Sequence, residues 1–325
     1  NVVFEGKGDK LERATADIFQ EEHELLNHLH ILNKLTLLKN RILELTKEMG
    51  SQSPHEEDKS PPLIIEEAER LYRQSPKCPV CKKEYYTFLG YYSNFKRDFD
   101  KGRLAFLEAL QVFHQYPLWQ DLFSKEYRKL LANYLNCSLS FGSFKEFSPY
   151  LTKLKNVPAT SEIEAAEAFQ HYHYLKLSYF VRTVQVEEAR ALVPHILYGI
   201  EKYGHFLNPN RKISLLFNLG LLNFLAGNTT EAFSLFQNVI NDRGKARQDV
   251  RIMTRFFQLL LIYDNATVQH FTTQVKTFLN YLRAKVNDGT ALKTYQTITQ
   301  ELLLSKTNPK EHPLQDILPI AEAAD

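Results

Sequence analysis

"NLGLLNFLAGNTTEAFSLFQNVI", residues 218–240, is the stretch that decides the fold. Its apolar residues recur at steps of three and four, the helical period, on both sides of a break at Gly227-Asn228. Gly227 and Asn228 tolerate the backbone of a tight reversal. Gly220, seven residues before the break, is small enough for a neighbouring helix to approach. Ala232 sits where two helices cross closely, and Phe236 fills the gap between repeats. The stretch reads as two helices joined by a turn.

The same order of residues returns elsewhere. Leu89-Gly90 is followed by Arg97-Asp98, Gly102 and Phe106. Weaker copies stand at Gly142-Ser143 with Phe144, at Val186 with Ala189 and at Val268 with Phe271. One residue just after each turn gives the marks Phe99, Phe144, Val186, Thr229 and Val268, spaced by 45, 42, 43 and 39 residues. The pattern predicts five helical hairpins between about residue 62 and residue 286, with turns near Arg97, Gly142, Val184, Gly227 and Ala266. Strict alternation of β-branched residues is almost absent, and the fold class read from the chain is all-α.

These residues resemble the tetratricopeptide repeat, most closely over 212–241 and next over 84–114. The spacing departs from that family, whose period is about 34 residues, and the proline that usually closes each repeat is missing. Residues 84–305 more broadly resemble a group of uncharacterised bacterial proteins built from degenerate long-helix repeats. The resemblance implies a right-handed superhelical solenoid of hairpins whose first helices line a concave side. It supplies no catalytic residues.

Around this core the chain divides into a long N-terminal helix over 1–49, a flexible acidic loop over 50–61, the repeats over 62–305 and an irregular tail over 306–325. On the first helix, Ile18, Leu25, Leu29, Leu32, Leu35, Ile42 and Leu45 form one apolar series. That face is expected to pack on or cap the first hairpin; the alternative is an intermolecular coiled coil.

Charge excludes some partners. Lys plus Arg number 40 against 38 Asp plus Glu, so the chain as a whole holds no attraction for nucleic acid or acidic membranes. No apolar run reaches the roughly 18 residues of a membrane span. The first residues lack the pattern of a signal peptide. Three cysteines are too few for a disulfide framework, and a cytoplasmic setting is expected.

Few residues invite chemistry. Cys78 and Cys81 form a Cys-x-x-Cys, yet zinc takes four ligands and no second pair follows. Cys137 stands alone in an apolar helix, and His55 in the acidic loop has no companion at ligand spacing. Pro79 has an ordinary role in the first turn of a helix, so the expectation is neither metal nor redox pair. His23, His28, His30, His171 and His173 show no zincin-type spacing. Nucleophile-elbow and phosphate-loop motifs are absent. No cofactor and no catalytic residue is expected, and the chain is read as a non-enzyme.

The leading functional expectation is an interaction scaffold that holds a partner protein or peptide on the concave surface. Projecting the repeat onto the first helices places Tyr91, Asn94, Asn136, Tyr174, Ser178, Arg182, Phe217, Phe224 and Tyr263 there. The competing view packs these residues against neighbouring hairpins. A structural oligomerisation module through the leucine-rich first helix is the alternative function, and the peptide-sensing part of a regulator is another. A monomer is expected over a homodimer.

Overall fold

The computed structural model describes residues 2–49, 60–242, 247–286 and 289–308, and among them every regular element is an α-helix. Most of the acidic loop expected at 50–61, with His55, lies outside the described residues, as does the tail beyond Asn308. The chain forms two compact units, Asn1–Ala159 and Thr160–Asp325.

The first unit holds α1 (Val2–Met49), α2 (Ser60–Gln74), α3 (Pro79–Phe95), α4 (Phe99–Gln115), α5 (Leu118–Leu122), α6 (Ser124–Phe141) and α7 (Phe147–Asn156). The second holds α8 (Glu162–Arg182), α9 (Val186–Arg190), α10 (Val193–Tyr203), α11 (Pro209–Leu225), α12 (Thr229–Asn241), α13 (Gln248–Tyr263), α14 (Val268–Lys285) and α15 (Gly289–Thr307). Four of the five sequence marks, Phe99, Val186, Thr229 and Val268, are the first residues of their helices. The fifth differs: after Gly142 the helix starts at Phe147, not Phe144. Two breaks escape the repeat pattern. The short α5 follows Pro117, and the second helix of the third hairpin is divided at Ala191-Leu192, with Pro194 in the first turn of α10, where its missing N–H costs nothing.

Four of the turns share one construction. Each first helix ends on a left-handed residue: Arg97 (φ 58°), Gly142 (φ 80°), Val184 (φ 54°) or Gly227 (φ 75°). The N–H of the next residue reaches back five positions: Asp98 to the Ser93 carbonyl at 2.9 Å, Ser143 to Ser138 at 2.9 Å, Gln185 to Phe180 at 2.9 Å and Asn228 to Asn223 at 2.8 Å. This is the Schellman arrangement, which satisfies carbonyls a helix end leaves bare. The fifth turn, at Ala266, has no left-handed residue; Thr267 caps the next helix by accepting from the His270 N–H at 3.2 Å.

Behind each turn lies a repeated pair of core positions, sixteen residues apart. In two hairpins the pair is Gly90 with Phe106 and Gly220 with Phe236. A Cβ on Gly220 would lie 2.4 Å from the Phe236 ring, and one on Gly90 2.6 Å from Phe106. Each ring therefore occupies the space its glycine leaves. The other three hairpins carry Leu135 with Leu151, Leu177 with Val193 and Leu259 with Val275. All of these except the half-buried Val193 are buried. A larger residue on the first helix goes with a smaller one on the second, as close packing at near-constant volume requires. The protein is thus an all-helical set of packed hairpins, consistent with a helical-repeat fold.

The long first helix corrects the sequence reading. Ile31, Leu35, Ile42 and Leu45 are buried in one core with Leu71, Tyr85 and Phe88 of α2 and α3. Ile18, Leu25 and Leu29, taken as the same face, are exposed, together with Phe19 and Leu26. Steps of seven drift by about 20° on a straight helix. From Ile18 to Leu45 that drift turns the series by less than a quarter circle, so it is the smaller cause: residues 16–27 are exposed on every side, and no other described helix covers this part of α1. The docked residues and the exposed stripe face roughly opposite directions.

Candidate functional site

The first helices of successive hairpins meet through polar side chains at close to the repeat spacing. In the first unit Lys83 of α3 pairs with Glu126 of α6 at 2.6 Å. The Asn133 amide donates to the Tyr91 hydroxyl at 2.8 Å, and the Cys137 thiol donates to Asn94 Oδ1 at 3.0 Å. In the second unit the Asn218 amide donates to Ser178 Oγ at 2.7 Å, joining α8 to α11. Phe217 and Phe224 of α11 meet Phe257 of α13 with ring centres 6.0 and 5.4 Å apart. The Tyr263 hydroxyl donates to Ser305 Oγ at 3.1 Å, joining α13 to α15.

Seven of the nine residues expected on the inner surface, Tyr174 included through Arg211 of α11, therefore take part in joints between neighbouring hairpins. Ser178 and Phe217 are buried there. Tyr91, Asn94, Phe224 and Tyr263 are half-buried, with one side on the joint and the other open. Tyr174 is half-buried under the Arg211 guanidinium, 4.6 Å from its ring centre. Asn136 is half-buried and Arg182 exposed. Burial moves the titrating members: the Tyr91 hydroxyl is pushed above its ordinary range, and the Arg211 guanidinium is pulled below its own, chiefly by desolvation. At neutral pH the joints of each unit present phenols and amides, and those of the second a guanidinium group as well, all able to donate hydrogen bonds.

One joint is ionic and deep. Glu84 of α3, nearly fully buried, bonds Lys39 and Thr36 of α1 and lies 3.5 Å from Lys83. Burial alone would raise its pKa; the two ammonium groups outweigh that and hold it below the ordinary value.

The Cys-x-x-Cys opens α3 as its spacing suggests. Cys78 is the N-cap and Pro79 occupies the first turn. Cys81 is buried, 3.6 Å from the His28 carbonyl, and burial pushes its thiol up to about 12. Cys137 is pushed up to about 11 by burial. Neither is a ready thiolate. Among the described residues no three His, Cys, Asp or Glu side chains converge as a metal site. His23 and His30 are exposed on α1, and His28, His171 and His173 are half-buried. No described helix is long and apolar enough to cross a membrane.

Two features escaped sequence reasoning. The charged joints join residues 43 to 48 positions apart, so their signal was the repeat spacing itself, applied to charge instead of to turns. The left-handed Arg97 and Val184 could be found only by aligning their turns with those at Gly142 and Gly227. Comparison with protein families, curated proteins and solved structures gives no match for this chain.

Proposed function

We propose that this protein is a non-enzymatic interaction scaffold, a right-handed tetratricopeptide-like solenoid that holds a peptide or partner protein along its first helices. The observation that supports it is the half-exposed state of Tyr91, Asn94, Asn136, Tyr174, Phe224 and Tyr263. The joints fix Tyr91, Asn94, Phe224 and Tyr263 in place while leaving each of them half-exposed. Rigid rings give contact area at low entropic cost, and amides match a peptide backbone. Selection of displayed random peptides on the whole chain tests this reading. Bound peptides should weaken by about tenfold or more with Asn136→Asp or Arg182→Glu, at a half-buried position of α6 and an exposed position of α8. Peptides insensitive to both changes, or no enrichment, would refute the assignment.

A second reading rests on α1. Ile18, Phe19, Leu25, Leu26 and Leu29 form an exposed apolar stripe on a helix whose later turns are docked. Such a stripe suits a helix–helix pair between two copies. Asp17, Glu21, Glu22 and Glu24 flank it, with no Lys or Arg from residue 14 to 33, and this like charge opposes self-pairing. Light scattering decides: a monomer removes the second reading, and a dimer lost with Leu25→Asp would favour it.

A further inference from the structure

A cleft of about 380 Å³ opens in the second unit between α12, α13 and α14. Leu259, Ile262 and Phe278 form its apolar part, and Gln237, Gln258 and Gln274 its polar part. Arg255 lines it as well, and the lining includes no Asp or Glu. The contrast with Arg251, one helical turn earlier, is informative. The Arg251 guanidinium is spent on structure: it donates to the Val239, Ile240 and Asp242 carbonyls and pairs with the Asp242 carboxylate at 2.8 Å. Arg255 has no carboxylate within ion-pair distance among the described residues. Its Nε is buried without a hydrogen-bond partner. The Tyr281 ring, 4.2 Å from the guanidinium carbon, holds the group in place without neutralising it.

We propose that this cleft binds a peptide segment in which an Asp or Glu side chain stands next to apolar side chains. A cleft wall that carries a guanidinium and no acid suits an anionic ligand, and a carboxylate supplies the strongest acceptor for a guanidinium. The apolar part of the cleft takes the neighbouring side chains. The glutamines choose a peptide over a free acid. Gln258 Nε2 donates to Gln237 Oε1 at 3.0 Å, which fixes both amides and leaves each with further donors and acceptors for a backbone. The volume falls in the range of ligand pockets, roughly 300–1,000 Å³. The site is independent of the first-helix surface proposed above.

Displayed random peptides selected on the whole chain test it. Enriched sequences should carry Asp or Glu beside Leu, Ile or Phe. A synthetic copy of the best peptide should lose about tenfold or more in affinity when its acid becomes the amide. The same loss is expected with Arg255→Gln, and with Gln274→Glu, which places a competing carboxylate in the cleft. Asn136→Asp and Arg182→Glu should leave this binding unchanged, which separates it from the first-helix reading. Circular dichroism verifies that both cleft variants are folded; should Arg255→Gln fail to fold, Gln274→Glu carries the test. Selected peptides without acid, or binding indifferent to the cleft variants, would overturn the proposal. Sodium hexanoate binding as tightly as the peptide, and lost with Arg255→Gln, would overturn the peptide assignment in favour of a small-acid site.

Discussion

The hairpins α3/α4 and α11/α12 lock in the same way and turn at different expense. In both, a phenylalanine of the second helix lies in the space left by a glycine of the first, Phe106 on Gly90 and Phe236 on Gly220. The turns match in backbone: Asp98 lies at φ −84°, ψ 77° and Asn228 at φ −81°, ψ 71°. Yet the left-handed position is Arg97 in one and Gly227 in the other. Packing thus dictates the interlock, whereas the turn tolerates a residue that fits it less well. The joints between first helices differ too. The first unit includes Lys39–Glu84 and Lys83–Glu126 ion pairs, while the second joins α8 to α11 and α13 to α15 through hydroxyls and an amide.

The largest way to break this comparison is to fill the glycines. Gly90→Leu and Gly220→Leu should each destabilise by about 2 kcal/mol or more, and Ala232→Leu, fully buried at the same crossing, by a similar amount. Chemical denaturation checks them. Adding Phe236→Leu to Gly220→Leu recreates the Leu135–Leu151 pairing and should recover more than half of the loss. A double variant no better than the single one would show that the five pairs are not interchangeable.

Acid should separate the units next. The Glu84 carboxyl is held below its ordinary value in the folded chain. Its contribution is therefore full above the unfolded pKa, about 4.3, and is lost as pH falls through the lower folded value. Hydrogen exchange should show α1 and α3 losing protection below about pH 4 before α11 and α13 do. At neutral pH Glu84→Gln should weaken the first unit by about 2 kcal/mol, because it leaves Lys39 and Lys83 without their shared partner.

The turns give a smaller and cleaner effect. Val184→Gly should stabilise by about 1 kcal/mol, since a β-branched residue is strained at φ 54°. Gly227→Val should cost about the same. A Cβ at Gly227 meets nothing within 4 Å, so the loss reports backbone strain alone. Thermal melting measures both; equal and opposite shifts would confirm one shared geometry. The smallest effect belongs to the free half of α1: Leu25→Ala and Leu29→Ala should change stability by less than about 0.5 kcal/mol. Leu35→Ala, fully buried on the docked face, should cost about 2 kcal/mol or more in the same melts.

Much of the fold was legible because its causes are local. A turn needs small or conformationally tolerant residues at fixed places, and a close crossing needs a glycine opposite a ring. The turn demand recurs every 39 to 45 residues and the glycine opposite a ring in two of the five hairpins, so the marks at Phe99, Val186, Thr229 and Val268 coincide with helix starts. The candidate site was less legible. Tyr91, Ser178 and Tyr263 were placed on the correct helices, but whether such a side chain meets the next hairpin or a ligand depends on how closely two helices approach, and no residue spacing encodes that distance.

The sequence by itself determined the helical class, the places of the five turns, the Gly90–Phe106 and Gly220–Phe236 interlocks and the absence of a recognisable catalytic motif. Only the tertiary structure decided which part of α1 is covered, because α2 and α3 pack on it from Ile31 onward and no described helix covers residues 16–27. Only it separated Arg251, spent on the end of α12, from Arg255, left facing a cleft without an acid. The two arginines stand one turn apart on one helix, and what distinguishes them is the set of groups that other helices bring within reach.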